Sequence, residues 1–341
     1  MAITLKQIAK KAGVSEATAS LALNDSELVN INTKSKIKKI ARELDYVADM
    51  RGKSLAKKSS DTLALVIGAM DNPFNAELSQ FIKNYVKKAG FNLIICTTQG
   101  KIEEEKNYLK VLKSGAVDGA IFTTRYKNSL DIDRKIFKLY KEGLGIVYID
   151  RINQYKPQAI VTVLSNRRTG SKELVNKFIS FGHKKIAYVG NVESERFIGY
   201  KNALEENNFK LQSDYIYNTG WNDGYKVGIM AAKKILEEKK RPTGITCFND
   251  QVAIGLIQYL QKNSVMVPGQ MSVAGFDNIE ISEYFSPALS TVNISKKDMA
   301  EKAVELIIKM IEAEDFSNQK KSYDFPVELV CRSSIEKISK L

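Results

Sequence analysis

TLKQIAKKAGVSEATASLALN, from Thr4 to Asn24, is the stretch of this sequence that decides how its amino-terminal part folds. Thr4 stands three residues before Gln7, which is the spacing of a capping box. Four apolar residues then recur at i, i+3, i+4 and i+7, as one face of a helix requires: Leu5, Ile8, Ala9 and Ala12. Gly13 follows and can adopt the left-handed conformation that ends a helix. The stretch therefore begins with a short amphipathic helix.

A second helix is predicted immediately after Gly13. Ser15 is a suitable N-cap for it, with Thr18 three residues later, and the helix runs from Glu16 to Leu23. Two short helices joined by a glycine turn predict a helix-turn-helix, whose second helix lies in the DNA major groove. A helical hairpin that only packs against its neighbours is the alternative.

The next segment predicts a third helix and then a basic connector. The helix is expected from Thr33 to about Leu44, with lysines on its outer face that can meet phosphate. Residues 48–60, ADMRGKSLAKKSS, are basic and contain one large aliphatic side chain other than methionine, Leu55. They form either a linker or a short helix that folds on DNA, with Leu55 as a wedge in the minor groove.

Charge is unevenly distributed along the 341 residues, which carry a net charge of +13. The first 60 residues contain 12 Lys and Arg against 6 Asp and Glu, so nearly half of the excess lies in less than a fifth of the chain. This favours a polyanionic partner for the amino-terminal part and a solvated, lysine-rich surface for the rest.

Cysteine and histidine usage argues against several classes of protein. Three scattered cysteines predict reduced core residues and hence a cytoplasmic protein. A single histidine, together with these scattered cysteines, argues against a zinc site and against a serine–histidine triad. No signal peptide and no membrane-spanning run is expected. The sequence thus predicts a non-enzymatic protein without a cofactor or metal.

From Thr62 onward, short β-rich runs alternate with helical patterns, which predicts α/β structure with parallel sheets covered by helices. The predicted strands are 63–69, 92–98, 119–124, 146–150, 160–164, 186–190, 245–249, 272–276 and 325–330. Helices are predicted near 75–89, 103–114, 131–142, 167–181, 196–207, 223–238, 250–262 and 296–312. Two sets of such units imply two Rossmann-like subdomains.

Polar side chains stand where these strands end, which is where parallel sheets bind ligands. Neither a GxxxxGK[ST] loop nor a GxGxxG turn follows any strand. The carboxylates alternate with amides and arginines, a set that suits hydrogen bonds to a polyhydroxy or heteroaryl ligand. Trp221 or Phe74 would stack on its face. Capping of the next helix is the alternative role for each Asp or Asn.

The whole chain resembles LacI/GalR-family transcriptional regulators. The likeness rests on the opening helix-turn-helix, on SLAKK around Leu55 and on a series of later motifs in family order. These motifs are DNPFNAEL (71–78), VDGAIF (117–122), YIDR (148–151), FGHKKIAYVGN (181–191), ERFIGYKNAL (195–204), FNDQVAIG (248–255), VPGQMSVAGFDN (267–278) and PALSTVNIS (287–295). The resemblance implies a helix-turn-helix headpiece (1–47), a hinge (48–60) and a periplasmic-binding-protein-like effector and dimerisation domain (61–341). The amino-terminal subdomain of the last would comprise about 61–161 and 293–323, and the carboxy-terminal subdomain 162–292 and 324–341.

The resemblance also implies roles for individual residues in DNA binding. Glu16, Ala17 and Leu21 fall where the family reads base edges, and Leu55 falls on the hinge leucine. The phosphate-contacting positions are matched by Thr4, Ser15, Thr18, Ser20, Asn24, Asn30 and Thr33. Leu21 replaces the usual Arg or polar reader and Glu16 brings in a negative charge, so the operator should differ from the usual one.

A second set of positions matches the effector site of the family: Phe74, Asn75, Asp150, Arg196, Trp221, Asn249 and Asp277. Arg196 is expected to make paired contacts to hydroxyls or a carboxylate, and the Asp and Asn side chains to exchange hydrogen bonds with hydroxyls. The implied function is a homodimeric repressor of double-stranded operator DNA that is controlled by a sugar or sugar derivative. A purine or nucleoside effector, and a phosphocarrier protein as corepressor, remain alternatives. A sugar-binding protein without a DNA role is the alternative from a different class.

Overall fold

The computed structural model describes residues 3–46, 59–124, 126, 129–157, 159–220, 224–313 and 320–338. They form two compact units, Met1–Asp61 and Thr62–Leu341. The predicted hinge leucine, Leu55, and the predicted stacking residue, Trp221, lie outside the described residues. Within the described ranges, no helix is both long and apolar enough to cross a membrane.

The described residues of the first unit form three helices, α1 (Leu5–Ala12), α2 (Glu16–Leu23) and α3 (Ile31–Glu43). Gly13 ends α1 with a φ of +75°, as the sequence predicts. α3 begins two residues earlier than expected, because the side chain of Asn30 accepts a hydrogen bond from the Asn32 amide at 2.8 Å and thereby caps the helix. A small core joins the three helices: Ile8, Ala12, Ala22, Val29, Ile37, Ile40 and Ala41.

The second unit contains a six-stranded parallel sheet in the order β11-β5-β4-β3-β1-β2. Its strands are β1 (Thr62–Ile67), β2 (Asn92–Thr97), β3 (Gly119–Phe122), β4 (Gly145–Ile149), β5 (Val161–Ser165) and β11 (Ser322–Phe325). Its helices are α4 (Pro73–Lys88), α5 (Ile102–Lys113), α6 (Leu130–Lys141) and α12 (Lys296–Glu312). α4 and α12 pack together against one apolar cluster, and α5 and α6 contribute to another, so the sheet is buried on both faces.

A four-stranded parallel sheet forms the other subdomain, in the order β7-β6-β8-β9. The strands are β6 (Ile186–Gly190), β7 (Ile216–Asn218), β8 (Gly244–Cys247) and β9 (Ser272–Ala274). The helices are α7 (Arg167–Ser180), α8 (Glu195–Glu206), α9 (Tyr225–Glu237), α10 (Asp250–Lys262) and the short α11 (Ile281–Tyr284). A separate antiparallel pair, β10 (Thr291–Ile294) and β12 (Val327–Val330), follows the return of the chain.

In each parallel sheet, the chain adds strands first on one side of its starting strand and then on the other. This change of direction falls between β1 and β3 in the first sheet and between β6 and β8 in the second. The loops that follow the two adjacent strands at such a point lead to opposite faces of the sheet, so a crevice opens between them at the carboxyl ends of the strands. The segments after β1, β3, β6 and β8 are therefore the ones placed to bind a ligand, and they contain most of the predicted effector residues.

The sequence analysis differed from the structure in three strands. β7 was not predicted, β10 appeared only as a return segment, and the single strand expected at 325–330 is two strands in different sheets. Pro326 separates these two strands, because proline cannot donate a ladder hydrogen bond. The subdomain limits remain a prediction; sheet pairing puts β5 and β11 in the first sheet.

Two glycines allow α9 and α10 to cross in close contact. A Cβ at Gly228 would lie 2.0 Å from the Val252 carbonyl oxygen, and one at Gly255 would lie 2.0 Å from the Tyr225 carbonyl oxygen. At both glycines the atoms nearest to an added Cβ belong to the backbone of the other helix. Backbone atoms cannot rotate away from a new methyl group as the end of a flexible side chain can. The contact between the two helices thus depends on the absence of side chains at both residues.

We expect Gly255→Ala to lower the free energy of unfolding by about 1–3 kcal/mol, because the added methyl group forces α9 and α10 apart. Urea denaturation of the full chain measures the effect. Gln258→Ala, at an exposed position of the same helix, is the matched control and should change stability by less than about 0.5 kcal/mol. Equal losses in the two variants would contradict the close-contact explanation.

Candidate DNA-binding face and effector cleft

The α2 helix presents three of the predicted base-reading side chains to solvent. Glu16, Ala17 and Leu21 are exposed, whereas Ala19 and Ala22 on the opposite side are buried in the core of the unit. Ser15 caps the helix by accepting a hydrogen bond from the Thr18 amide at 3.1 Å. The exposed side of α2 thus combines one carboxylate with two apolar side chains and has no cation.

Several predicted phosphate-contacting residues are also helix caps. Thr4, Ser15 and Asn30 are the N-caps of α1, α2 and α3, and Thr4 forms the expected capping box with Gln7. Their backbone amides and those of the following residues are at helix N-termini, where phosphate groups are favourably bound. The predicted caps Thr4 and Ser15 are thus confirmed, and phosphate contact at the three residues stays a prediction. The remaining predicted contacts differ in exposure: Asn24 is exposed, and Thr18, Ser20 and Thr33 are half-buried.

Three of the lysines on α3 also bind within the unit. Lys36 donates to the Ala12 carbonyl at 2.9 Å, Lys34 donates to the Asp25 carbonyl at 3.1 Å, and Lys38 pairs with the Asp25 carboxylate. The ammonium group of Lys38 lowers the pKa of Asp25. These lysines hold α3 against the ends of α1 and α2, a role that the charge pattern alone does not reveal.

Phe74 lies at the start of α4, directly after β1, where Asn72 caps the helix by accepting from the Phe74 amide at 3.0 Å. Its ring packs against the apolar clusters of both subdomains. The ring centre is 6.0 Å from the Arg167 guanidinium and 5.6 Å from the Lys296 ammonium. The neighbouring Asn75 side chain donates to the Ala69 carbonyl at 2.8 Å, so it supports the loop after β1.

Asp150 follows β4 and is buried, with a φ of +51°. Its carboxylate accepts hydrogen bonds from the Ser165 amide at 2.8 Å and the Ser165 hydroxyl at 2.9 Å. Arg167 Nη2 lies 2.5 Å from Oδ2 of the same carboxylate. The sequence predicted Asp150 as a ligand-facing acid but missed Arg167, since an arginine at the start of a helix is most often a surface residue.

Arg196 and Asp277 form a buried ion pair, with 2.6 Å between Arg196 Nη2 and Asp277 Oδ1. The guanidinium lies 4.5 Å from the centre of the Phe248 ring and 4.2 Å from that of Phe276. Burial lowers the pKa of Arg196, and the Asp277 carboxylate opposes this shift. The structure therefore brings together two predicted effector residues that are 81 positions apart.

Asn249 and Asp250 begin α10 behind this pair. Asn249 caps the helix by accepting from the Val252 amide at 2.9 Å, which is the alternative role that the sequence allowed. The Asp250 carboxyl accepts from the Ile279 amide at 2.8 Å and lies 2.5 Å from the Thr291 hydroxyl. Burial raises the pKa of Asp250 to about 8, so this group is mostly protonated at neutral pH.

Lys296 is a second cation that the sequence missed, and it joins the subdomains at the first turn of α12. It pairs with Glu77 at 2.9 Å and donates to the Asp277 carbonyl at 2.8 Å. Glu77 also accepts from the Glu280 amide at 3.0 Å. The sequence offered no signal for this contact, because adjacent lysines at a helix start usually face solvent.

Buried polar atoms that follow β3 and β6 have no hydrogen-bond partner among the described residues: Thr123 Oγ1, Asn191 Nδ2 and Arg196 Nε. Unsatisfied polar groups are rare in protein interiors, and a cluster of them at strand ends is typical of a site completed by a polar ligand. The arrangement offers hydrogen bonds and aromatic surface. The described residues contain no group of three or more potential metal ligands.

Comparison with known proteins agrees with this architecture. Residues 4–49 match the profile of bacterial regulatory proteins of the lacI family, and residues 175–335 match that of a periplasmic binding protein-like domain. The HTH-type transcriptional repressor PurR of Vibrio campbellii is 30% identical over 98% of this chain and 99% of its own length. A solved structure of a Lac repressor dimer bound to operator and an anti-inducer is similar, with a TM-score of 0.86 and 21% identity over 98% of this chain and 100% of that chain. A sugar-binding LacI-family regulator from Escherichia coli complexed with phosphate is also similar, with a TM-score of 0.67 and 27% identity over 82% of this chain and 100% of that chain.

The chain belongs to the LacI family of bacterial transcriptional regulators. It is a DNA-binding repressor with a helix-turn-helix headpiece and an effector-binding domain, and it is not an enzyme. The fold class and the family predicted from the sequence are thus confirmed, whereas the individual contact residues remain predictions.

The raised pKa of Asp250 predicts a pH dependence of stability. Between about pH 4 and pH 8 the folded protein keeps a proton that the unfolded chain has released, so this group reduces stability as pH rises. Asp250→Asn removes the charge, keeps an oxygen that accepts from the Ile279 amide and places an NH2 group that can donate to the Thr291 hydroxyl oxygen. We expect the difference in unfolding free energy between variant and wild type to change by about 1.4 kcal/mol per pH unit in favour of the variant over this range.

Denaturant titrations at a series of pH values test this expectation. Asp71→Asn, at an exposed position, is the control for the loss of a carboxylate. A difference between Asp250→Asn and wild type that stays constant from pH 4 to pH 8 would show that Asp250 ionises normally.

Proposed function

We propose that this protein represses transcription by binding a pseudo-palindromic operator as a homodimer, and that a sugar or sugar derivative held between its two subdomains controls that binding. The observation that carries the proposal is the buried polar cluster at the strand ends of the effector domain, which contains the predicted effector residues Asp150, Arg196 and Asp277. Trp221, another of the seven predicted effector residues, lies outside the described residues.

DNA binding is assigned to the exposed side of α2 and to the caps of the three helices. Glu16 is suited to accept a hydrogen bond from the amino group of cytosine, and Ala17 and Leu21 are suited to contact thymine methyl groups. Contacts from the caps and lysines to phosphate would supply affinity that falls with salt. Leu55 is proposed to wedge between base steps at the centre of the operator.

Two exposed apolar patches on the effector domain support dimerisation. β2 is an edge strand of the six-stranded sheet, and its Ile94 and Ile95 are 44% and 40% exposed. On the other subdomain, Ile281 and Tyr284 of α11 are 45% and 73% exposed. Exposed apolar edge strands and patches are characteristic of surfaces that a partner covers. A second copy that contacts both patches would sense the angle between the subdomains.

Contacts that cross between the subdomains provide the coupling. Glu77 on α4 binds the Glu280 amide beside α11, and Lys296 on α12 binds the Asp277 carbonyl, so a ligand at Asp277 would disturb both contacts. A differential affinity of about 1–3 kcal/mol for the two subdomain arrangements would change operator affinity about 5- to 150-fold.

A purine or nucleoside is the second candidate effector. The Vibrio campbellii relative is named PurR, and the Phe74 ring provides an aromatic face suited to a base. A phosphocarrier protein as corepressor, which the sequence left open, also remains a prediction.

A recognition-helix variant tests the DNA-binding proposal. Duplexes selected from a random library by the wild-type protein should contain an inverted repeat. We expect Glu16→Ala to lose about 1–3 kcal/mol of discrimination at one base pair of each half-site, because the acceptor for cytosine is removed.

Gel-shift titrations on the selected duplex and its single-base variants measure this discrimination. Glu43→Ala, which removes an exposed carboxylate at the end of α3, is the control and should keep the wild-type preference. Loss of discrimination in both variants, or in neither, would remove Glu16 from the set of reading residues.

A variant on α4 tests the effector cleft. A thermal-shift screen against sugars, sugar phosphates and purines should raise the melting temperature with at least one compound, because a ligand that binds only the folded state stabilises it. Phe74→Leu should reduce the affinity for that compound at least tenfold and leave operator binding intact.

Phe81→Leu is the matched control for this experiment. It also changes a half-buried phenylalanine on α4, but Phe81 packs against the apolar core instead of the cleft cations. Calorimetry that gives the same ligand affinity for wild type and Phe74→Leu would exclude Phe74 from the site.

A further inference from the structure

Six charged side chains form one connected cluster in the effector cleft, which we call the cleft charge cluster: Glu77, Asp150, Arg167, Arg196, Asp277 and Lys296. The side chains of its cations are well buried, with exposed fractions of 10% for Arg167, 5% for Arg196 and 8% for Lys296. Buried cations of this kind are stable only when they are paired.

Each cation of the cluster has its own carboxylate. Arg167 pairs with Asp150, Arg196 with Asp277, and Lys296 with Glu77, at 2.5, 2.6 and 2.9 Å. The three pairs are also connected to one another. The Phe74 ring lies against both Arg167 and Lys296, Lys296 binds the Asp277 carbonyl, and Asp150 and Arg167 both influence the pKa of Arg196.

The cluster is therefore electrically neutral among the described residues. The neighbouring Asp250 carboxyl group is either neutral or negative, so it adds no positive charge to the cluster. Arg151, the next residue after Asp150, is turned away into a separate buried network, where it binds Glu105 at 2.6 Å and Asp133 at 2.7 Å. Arg332, a further cation beside the Asp277 segment, donates to the Asn278 side chain at 3.0 Å and lies 4.0 Å from the Glu283 carboxylate.

The unsatisfied atoms near the cluster are uncharged or belong to a cation that is already paired. Asn191 Nδ2 and Arg196 Nε are donors. Hydroxyl and carbonyl oxygens of a neutral molecule can accept hydrogen bonds from both. A carboxylate or phosphate would bring one or two negative charges into a neutral, buried site and would compete with Asp150 and Asp277 for their arginines.

We propose that the effector of this protein is an uncharged polyhydroxy or carbonyl-bearing molecule, and that Asp150 and Asp277 select against anionic ligands by neutralising Arg167 and Arg196. This inference rests on the proposed function, in which the cleft binds the effector. It separates free sugars from sugar phosphates and sugar acids, which the likeness to other regulators does not.

Matched ligand pairs test the selection. The full-length protein is screened by thermal shift and calorimetry against pentoses, hexoses, disaccharides and nucleosides, each beside its phosphate ester, and against the corresponding sugar acids. We expect the compounds that bind to be neutral, and their phosphate esters or acids to bind at least tenfold more weakly.

Asp277→Asn reverses the charge balance without changing the size of the side chain. It leaves Arg196 without its carboxylate, so we expect the affinity for inorganic phosphate and acetate, measured at constant ionic strength, to rise at least tenfold over wild type. Asp150→Asn does the same for Arg167 and gives an independent measurement if Asp277→Asn fails to fold. Asp214→Asn, at an exposed position outside the cleft, is the control for the loss of one carboxylate and should match wild type.

The outcomes separate this inference from the proposed function. Wild-type protein that binds sugar phosphates or sugar acids more tightly than the neutral compounds contradicts the inference, as does a panel in which no neutral compound binds. Phosphate and acetate affinities that stay unchanged in both Asp→Asn variants contradict it as well. Failure of the wild-type protein to select any duplex contradicts the proposed function instead, whatever the ligand screen shows.

Discussion

The ion pair between Arg196 and Asp277 is the interaction on which the effector cleft depends. Its members come from α8 and from the segment after β9, and both are buried. The guanidinium also lies near the rings of Phe248 and Phe276. Removing one partner of such a pair costs about 3–5 kcal/mol, because the other charge is left buried and uncompensated. The two segments are thus held together before any ligand arrives.

Contacts of neighbouring residues connect this ion pair to the rest of the cleft. Asp250 holds the Ile279 amide, two residues after Asp277, and also contacts Thr291 on β10, where the chain returns toward the first subdomain. Gly275 makes room for that carboxyl group, since a Cβ there would lie 2.2 Å from Asp250 Oδ1. Lys296 then fixes the Asp277 carbonyl from the first subdomain. The Asp277 segment is consequently constrained by both subdomains.

The sequence predicted most elements but not the pairing of their side chains. Gly13 and the capping residues predicted the ends of α1 and α2, because helix ends depend on local geometry. β7, with three residues, was too short to give a periodic signal, and the break at Pro326 could be recognised only when its two flanking strands were seen in different sheets. Arg167 and Lys296 gave no signal because their roles depend on contacts with distant segments.

By itself, the sequence determined the helix-turn-helix, the alternation of strands and helices, the family and the strand ends at which we propose that a ligand binds. These features follow from short-range periodicity, capping and motif spacing. Only the tertiary structure decided which carboxylate neutralises which cation, which lysines of α3 bind within the headpiece, and that burial raises the pKa of Asp250. Such pairings depend on distances between residues far apart in the chain and on their shared exclusion from water, and neither quantity is encoded in any local pattern.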